Sequence, residues 1–212
     1  MRGVLRIAVL ASGKGSNLRA ILDAIDSGKV LNASVVVVIS NNSDSGALQI
    51  ARSASIPGLH VSRKQFETDE GFEQTLLSTL KERRIDLIAL AGYMKKIAPR
   101  IIREFRDRII NIHPALLPSF GGPGMYGMFV HEAVIRSGAR TSGATVHIVD
   151  EEYDHGRILL QKTVAVAPGE TPESLAAKIA SIEHEIYPEA IRLFSEGDLA
   201  TSGVHAAAGS GA

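Results

Sequence analysis

The run Val35-Val36-Val37-Val38-Ile39 constrains this chain more than any other stretch. β-Branched side chains favour extended backbone, and a run with no polar position has no face to turn to water. Such a strand is covered on both sides, as in parallel sheets sandwiched between helices. The run predicts a strand over Ala33 to Ser40, and similar apolar stretches predict strands at Val4 to Ala11, Gly58 to Val61 and Leu87 to Ala91. A further strand is expected in Ile109-Ile110-Asn111-Ile112-His113. Between them the spacing turns helical, over Leu18 to Asp26, Gly46 to Ala54, Thr68 to Arg84 and Pro99 to Phe105. Strand and helix in alternation predict an α/β fold with a mostly parallel, doubly wound sheet and right-handed crossovers.

The pattern changes beyond the helix expected over Val130 to Ser137. Two strands, Thr141 to Val149 and Ile158 to Val166, are separated by a connection too short for a crossover helix, so they read as an antiparallel pair. Thr171 is placed to cap a long C-terminal helix with Pro172 and Glu173 in its first turn. Leu175, Ile179, Ile182, Ile186, Ile191 and Phe194 form its apolar stripe. Residues 1–200 are expected to form a single domain, and residues 201–212, which lack any core-forming pattern, a mobile tail.

Charge and cysteine content exclude several classes of function. Lys plus Arg equals Asp plus Glu at 23 each, which predicts no general attraction to nucleic acid or anionic lipid. With no cysteine there is no thiol nucleophile, disulfide or thiolate metal site. No stretch approaches the roughly 20 apolar residues that span a bilayer, so the cytoplasm is the expected location and small molecules the expected partners. Monomer and homodimer both remain open.

The turn Ser12-Gly13-Lys14-Gly15-Ser16-Asn17-Leu18 follows the first strand. A dinucleotide fingerprint needs a third glycine where Leu18 stands and an acid where Asn41 and Asn42 stand, so NAD is disfavoured. Two readings stay open. Gly15, Ser16 and Asn17 present backbone N–H groups to an anion at a helix N-terminus, or they form a tight turn with Ser16 or Asn17 as cap. Asn111 and His113 alternate at the end of a strand, where open α/β sheets bind ligands, and His113 could equally be held by a backbone carbonyl. Asp154 could be a solvated turn residue or a functional carboxylate. No two histidines have metal-motif spacing, so no metal is expected.

In order along the chain stand Ser12-Gly13-Lys14-Gly15-Ser16-Asn17-Leu18, Ala91-Gly92-Tyr93-Met94 and Asn111-Ile112-His113-Pro114-Ala115-Leu116-Leu117-Pro118. They are followed by Gly143-Ala144-Thr145-Val146-His147, Asp154-His155-Gly156 and Glu183-His184-Glu185-Ile186-Tyr187-Pro188. Together they resemble the glycinamide ribonucleotide formyltransferase family, folate-dependent enzymes of purine synthesis. The resemblance implies transfer of the formyl group of 10-formyltetrahydrofolate, as cosubstrate, to the amine of glycinamide ribonucleotide. It makes Asn111, His113 and Asp154 the catalytic group. It assigns Gly15, Ser16 and Asn17 to the ribonucleotide phosphate and Glu183 to the glycinamide amine. The folate would lie along Met94, Lys95, Lys96 and Ile97 and against Asp150, Glu151, Glu152 and Tyr153. The resemblance also raises a cis peptide bond at Leu117–Pro118, which the sequence alone cannot decide.

The chain departs from that pattern in two places. The stretch from Pro118 to His131 is a few residues longer than usual, and of a His-x-His pair only His131 remains, with Phe129 in the other place. An arginine before the third helix is absent near Asp69. The mechanism implied is attack of the amine on the formyl carbon, with Asn111 and a protonated His113 stabilising the oxyanion. An ionised Asp154 would raise the His113 pKa. Rival readings are formyltetrahydrofolate hydrolase, which resembles this fold behind an extra N-terminal domain, and methionyl-tRNA formyltransferase, which carries a further basic domain. A non-catalytic phosphosugar-binding protein is the rival from another class.

Overall fold

The computed structural model describes residues 3–197, and the tail expected over 201–212 lies outside them. The chain begins β1 (Leu5–Leu10), α1 (Ser16–Asp26), β2 (Ala33–Ser40), α2 (Gly46–Ser53), β3 (Gly58–His60), α3 (Asp69–Glu82) and β4 (Leu87–Leu90). It continues α4 (Pro99–Glu104), β5 (Ile109–His113), α5 (Met128–Ser137), β6 (Thr141–Ile148), β7 (Ile158–Ala165) and α6 (Pro172–Glu196). The strand order is β3-β2-β1-β4-β5-β6-β7. β1 pairs in parallel with β2 and β4, β2 with β3 and β4 with β5, while β6 pairs antiparallel with β7, which is the fold class the sequence predicts.

The chain divides after Asn111 into two compact units. In the first, β1 lies between β2 and β4, and Ile7, Ala8 and Val9 are fully buried. Val37, Val38 and Ile39 are fully buried as well, as a strand covered on both faces requires. Helix starts follow local chemistry: Ser45 accepts from the Leu48 N–H of α2 at 3.3 Å, and Thr68 from the Gly71 N–H of α3 at 3.1 Å. Each cap is worth about 1 kcal/mol. Of the expected α3 stripe, Leu76, Leu77 and Leu80 are buried and Phe72 half-buried.

In the second unit α6 packs on β6, β7 and α5. Thr171 caps it by accepting the Ser174 N–H at 3.2 Å, and Pro172 occupies the first turn. Pro188 lies inside α6, where it removes the N–H that would bond the His184 carbonyl. An interior proline costs about 3 kcal/mol. Burial of Ile186, Tyr187, Pro188, Ala190 and Ile191 on the same stretch, at about 1.5–3 kcal/mol for each large side chain, outweighs that cost and keeps the helix continuous.

Candidate active site

β5 delivers His113 to its C-terminal end with the ring 3% exposed. The ring Nε2 lies 2.8 Å from the Phe120 carbonyl oxygen, which can only accept, so Nε2 carries the proton. Nδ1 lies 3.6 Å from Asp154 Oδ2. The carboxylate takes the Gly122 N–H at 2.9 Å on that same oxygen and faces His147 Nε2 at 3.6 Å with Oδ1. His147 in turn places Nδ1 2.9 Å from the Ile148 carbonyl oxygen, which orients its ring and leaves Nε2 toward Asp154. One carboxylate thus stands between two imidazoles.

The backbone that holds this group is strained where it matters. Phe120 and Asp154 both adopt left-handed conformations, φ 57° and 56°, unusual for residues with a side chain. Two residues on, a Cβ at Gly156 would sit 1.9 Å from the Ile148 carbonyl oxygen, so only glycine lets the loop return this closely to β6. The exit from β5 is clamped by a fully buried Thr145, whose hydroxyl donates to the Ala115 carbonyl at 2.6 Å and accepts the Leu117 N–H at 3.1 Å. Gln161 donates to that hydroxyl at 3.0 Å and to the Leu117 carbonyl at 2.8 Å. The Leu117–Pro118 peptide bond is cis.

Burial works against charge on both members of the pair, with different outcomes. For Asp154, burial pushes the carboxyl up, but the His147 hydrogen bond, the His113 charge and the Gly122 N–H outweigh it and hold the group below the usual carboxylate range. For His113 burial prevails over Asp154 and the Phe120 carbonyl, and the pKa falls below its ordinary value. Asp154 does pull the His113 pKa upward, as expected, but the expectation of a protonated His113 is corrected: a ring this deeply buried loses more in hydration than it gains at 3.6 Å. The resting site is therefore a neutral imidazole beside an ionised carboxylate. His131 on α5 is 6% exposed, and burial, then the neighbouring His113, lower its pKa as well.

In the first unit, Gly15 precedes α1 with φ 81°, and a Cβ there would lie 2.8 Å from Ala47 Cα. Neither Ser16 nor Asn17 caps the helix: Gly15 is the N-cap, without a side-chain cap hydrogen bond, so the capping alternative falls. Gly15 and Asn17 are buried and Ser16 is exposed. Asn111, two residues before His113 on β5 and therefore on the same strand face, is half-buried and pairs opposite Leu90. Met94, Lys95 and Lys96 are exposed, whereas the Ile97 side chain is 4% exposed and belongs to the core. Asp150 is half-buried, and Glu151, Glu152 and Tyr153 are exposed. Glu183 is half-buried and helps raise the pKa of the Tyr187 phenol, after burial. Among the described residues no group of three or more His, Cys, Asp or Glu is disposed to hold a metal ion, and no helix is long and apolar enough to cross a membrane.

Sequence reasoning assigned no role to His147, Thr145, Gln161 or the Phe120 carbonyl. The alternation of Thr145 and His147 along one strand face was the available signal.

A set of strand-end histidine, paired loop carboxylate and second imidazole is suited to moving a proton during attack on a carbonyl carbon. The family model for formyl transferase matches residues 5–191, and this chain belongs to that family. Among relatives, the phosphoribosylglycinamide formyltransferase of Haemophilus influenzae is 40% identical over 92% of this chain and 89% of its own length. The chloroplastic phosphoribosylglycinamide formyltransferase of Arabidopsis thaliana is 44% identical over 90% of this chain, which spans 65% of that longer protein. The crystal structure of glycinamide ribonucleotide transformylase 1 from Symbiobacterium toebii superposes with a TM-score of 0.85 at 41% identity, over 92% of this chain and 89% of that one. The family resemblance read from the ordered motifs is borne out.

Proposed function

We propose that this chain transfers the formyl group of 10-formyltetrahydrofolate to the amine of glycinamide ribonucleotide, a step of purine (IMP) synthesis, in the cytoplasm and as a monomer or homodimer. The observation that carries the reading is the disposition of His113. Its Nε2–H is held by the Phe120 carbonyl, and its Nδ1, deprotonated in the neutral ring, faces an ionised Asp154 across 3.6 Å. Such a nitrogen is a base with a stabilising anion beside the cation it becomes.

In this reading the substrate amine attacks the formyl carbon, forming the new C–N bond and a tetrahedral oxyanion. The Asn111 amide donates to that oxygen. His113 Nδ1 takes the proton released by the amine, and the resulting imidazolium is steadied by Asp154 on one side and the Phe120 carbonyl on the other. Collapse of the oxyanion breaks the bond from carbon to the folate N10, which receives the proton from His113. His147 orients Asp154. Gly15, Ser16 and Asn17 hold the ribonucleotide phosphate on backbone N–H groups, Glu183 binds near the amine, and the folate lies along Met94 to Lys96 and the 150–153 loop. Ile97 contributes from the core rather than by surface contact. Reaction at an already activated formyl group requires no covalent nucleophile.

The test is purified chain with 10-formyltetrahydrofolate, with and without glycinamide ribonucleotide, followed by folate absorbance. Turnover only with the amine supports the transferase. Turnover without it makes the chain a hydrolase, and none with either leaves a phosphosugar-binding protein.

A further inference from the structure

Ser12 links three strand exits of the first unit. Its backbone N–H donates to the Gly92 carbonyl at 3.0 Å, and its hydroxyl accepts the Met94 N–H at 2.8 Å and donates to the Asn41 side-chain oxygen. One half-buried residue thus ties the end of β1 to the segments that follow β2 and β4. The loop that continues from it has little freedom of its own. Gly15 lies against Ala47, where even a Cβ would come within 2.8 Å of backbone, and the Ala47 N–H donates to the Gly13 carbonyl at 3.2 Å. The start of α2 therefore braces residues 13–15 from one side, and residue 12 joins that braced loop directly to the Asn41 and Met94 segments. There the hydroxyl bears directly on the Met94 backbone, where the exposed stretch 94–96 begins.

We infer that Ser12 is a positioning residue that couples the two substrates, so that filling the loop at residues 15–17 tightens the binding of the folate at residues 94–96, and the reverse. The inference rests on the functional reading above and adds to it a reciprocity that neither segment has alone.

The test is equilibrium titration of glycinamide ribonucleotide with and without saturating tetrahydrofolate, the deformylated product, so that no turnover intervenes. In the unmodified chain, tetrahydrofolate tightens the ribonucleotide by about fivefold or more, at the lower end of ordinary couplings, and the ribonucleotide tightens tetrahydrofolate by the same factor. In Ser12→Ala the factor falls toward one while each ligand still binds singly. Ser12→Thr, which keeps the hydroxyl, restores it. An unaltered factor in Ser12→Ala, or no coupling in the unmodified chain, overturns the inference while leaving the function standing. If Ser12→Ala does not fold, Asn41→Ala, which removes the acceptor that orients the hydroxyl, must lower the factor; an unchanged value there overturns the inference too. Failure of the unmodified chain to bind either ligand overturns the functional reading, and this inference with it.

Discussion

The loop at Gly15 and the loop at Asp154 both carry charge, but they are made of different material. At Gly15 the charge is the partial positive charge of backbone N–H groups at the start of α1, with no acidic residue in the first turn and no side chain capping the end. At Asp154 it is a full negative charge on one side chain, kept ionised by two imidazoles and a backbone N–H from distant parts of the chain. The first arrangement depends on one backbone angle and cannot be titrated. The second depends on ionisation and burial, and so responds to pH. A backbone cradle is suited to holding a group whose charge stays constant, and a titrating cluster to moving a proton.

The sharpest way to break that contrast is Asp154→Asn, which keeps the shape and removes the charge. Turnover with glycinamide ribonucleotide is expected to fall by about a thousandfold, within the range for acid–base groups, as read by folate absorbance. A loss under tenfold would make Asp154 a turn residue after all. His113→Gln follows, with turnover falling on the order of 100-fold.

The pH profile tests the same residue in another way. If neutral His113 is the base, kcat/KM falls as pH drops through a pKa below the ordinary 6.5. Residual activity of Asp154→Asn should place that acid limb lower still, because Asp154 pulls the His113 pKa upward. A limb that moves to higher pH would reverse the assigned electrostatics.

On the backbone side, Gly15→Ala places a Cβ against Ala47 at φ 81°. The expected result is a KM for glycinamide ribonucleotide raised roughly tenfold, equivalent to about 1.4 kcal/mol, with a smaller change in kcat. Equal losses in both parameters would mean that the loop shapes the reacting centre rather than the phosphate grip.

The smallest effect is on stability. A histidine held below its unfolded pKa makes the folded state bind fewer protons than the unfolded chain, so stability falls as pH drops below about 6.5. Asp154, held below 3.8, adds a second loss only under that value. Chemical denaturation across this range should show the upper step shrink in His113→Gln and the lower one persist.

Much of the fold could be read from the order of residues, because period and run length act locally. β2 occupies Ala33–Ser40 as its run of valines predicts, Thr171 and Pro172 open α6, and β6 and β7 pair antiparallel across a connection too short for a helix. Pro188 did not end α6, since packing of Tyr187 and its neighbours outweighs a local rule. Of the candidate site, Asn111 and His113 could be proposed from two-residue alternation, and Asp154 from the ordered motifs that mark the family. His147 remained unassigned because its pairing with Asp154 depends on how the 149–157 loop folds back, as only Gly156 permits.

Residue order alone thus accounts for most of the elements and the chemistry available at the strand ends, which follow from local sterics and periodicity. The protonation state of His113 was decided by the tertiary structure. It depends on the balance between a 3% exposed ring and a carboxylate 3.6 Å away, and burial and distance are properties of the folded chain that no sequence spacing encodes.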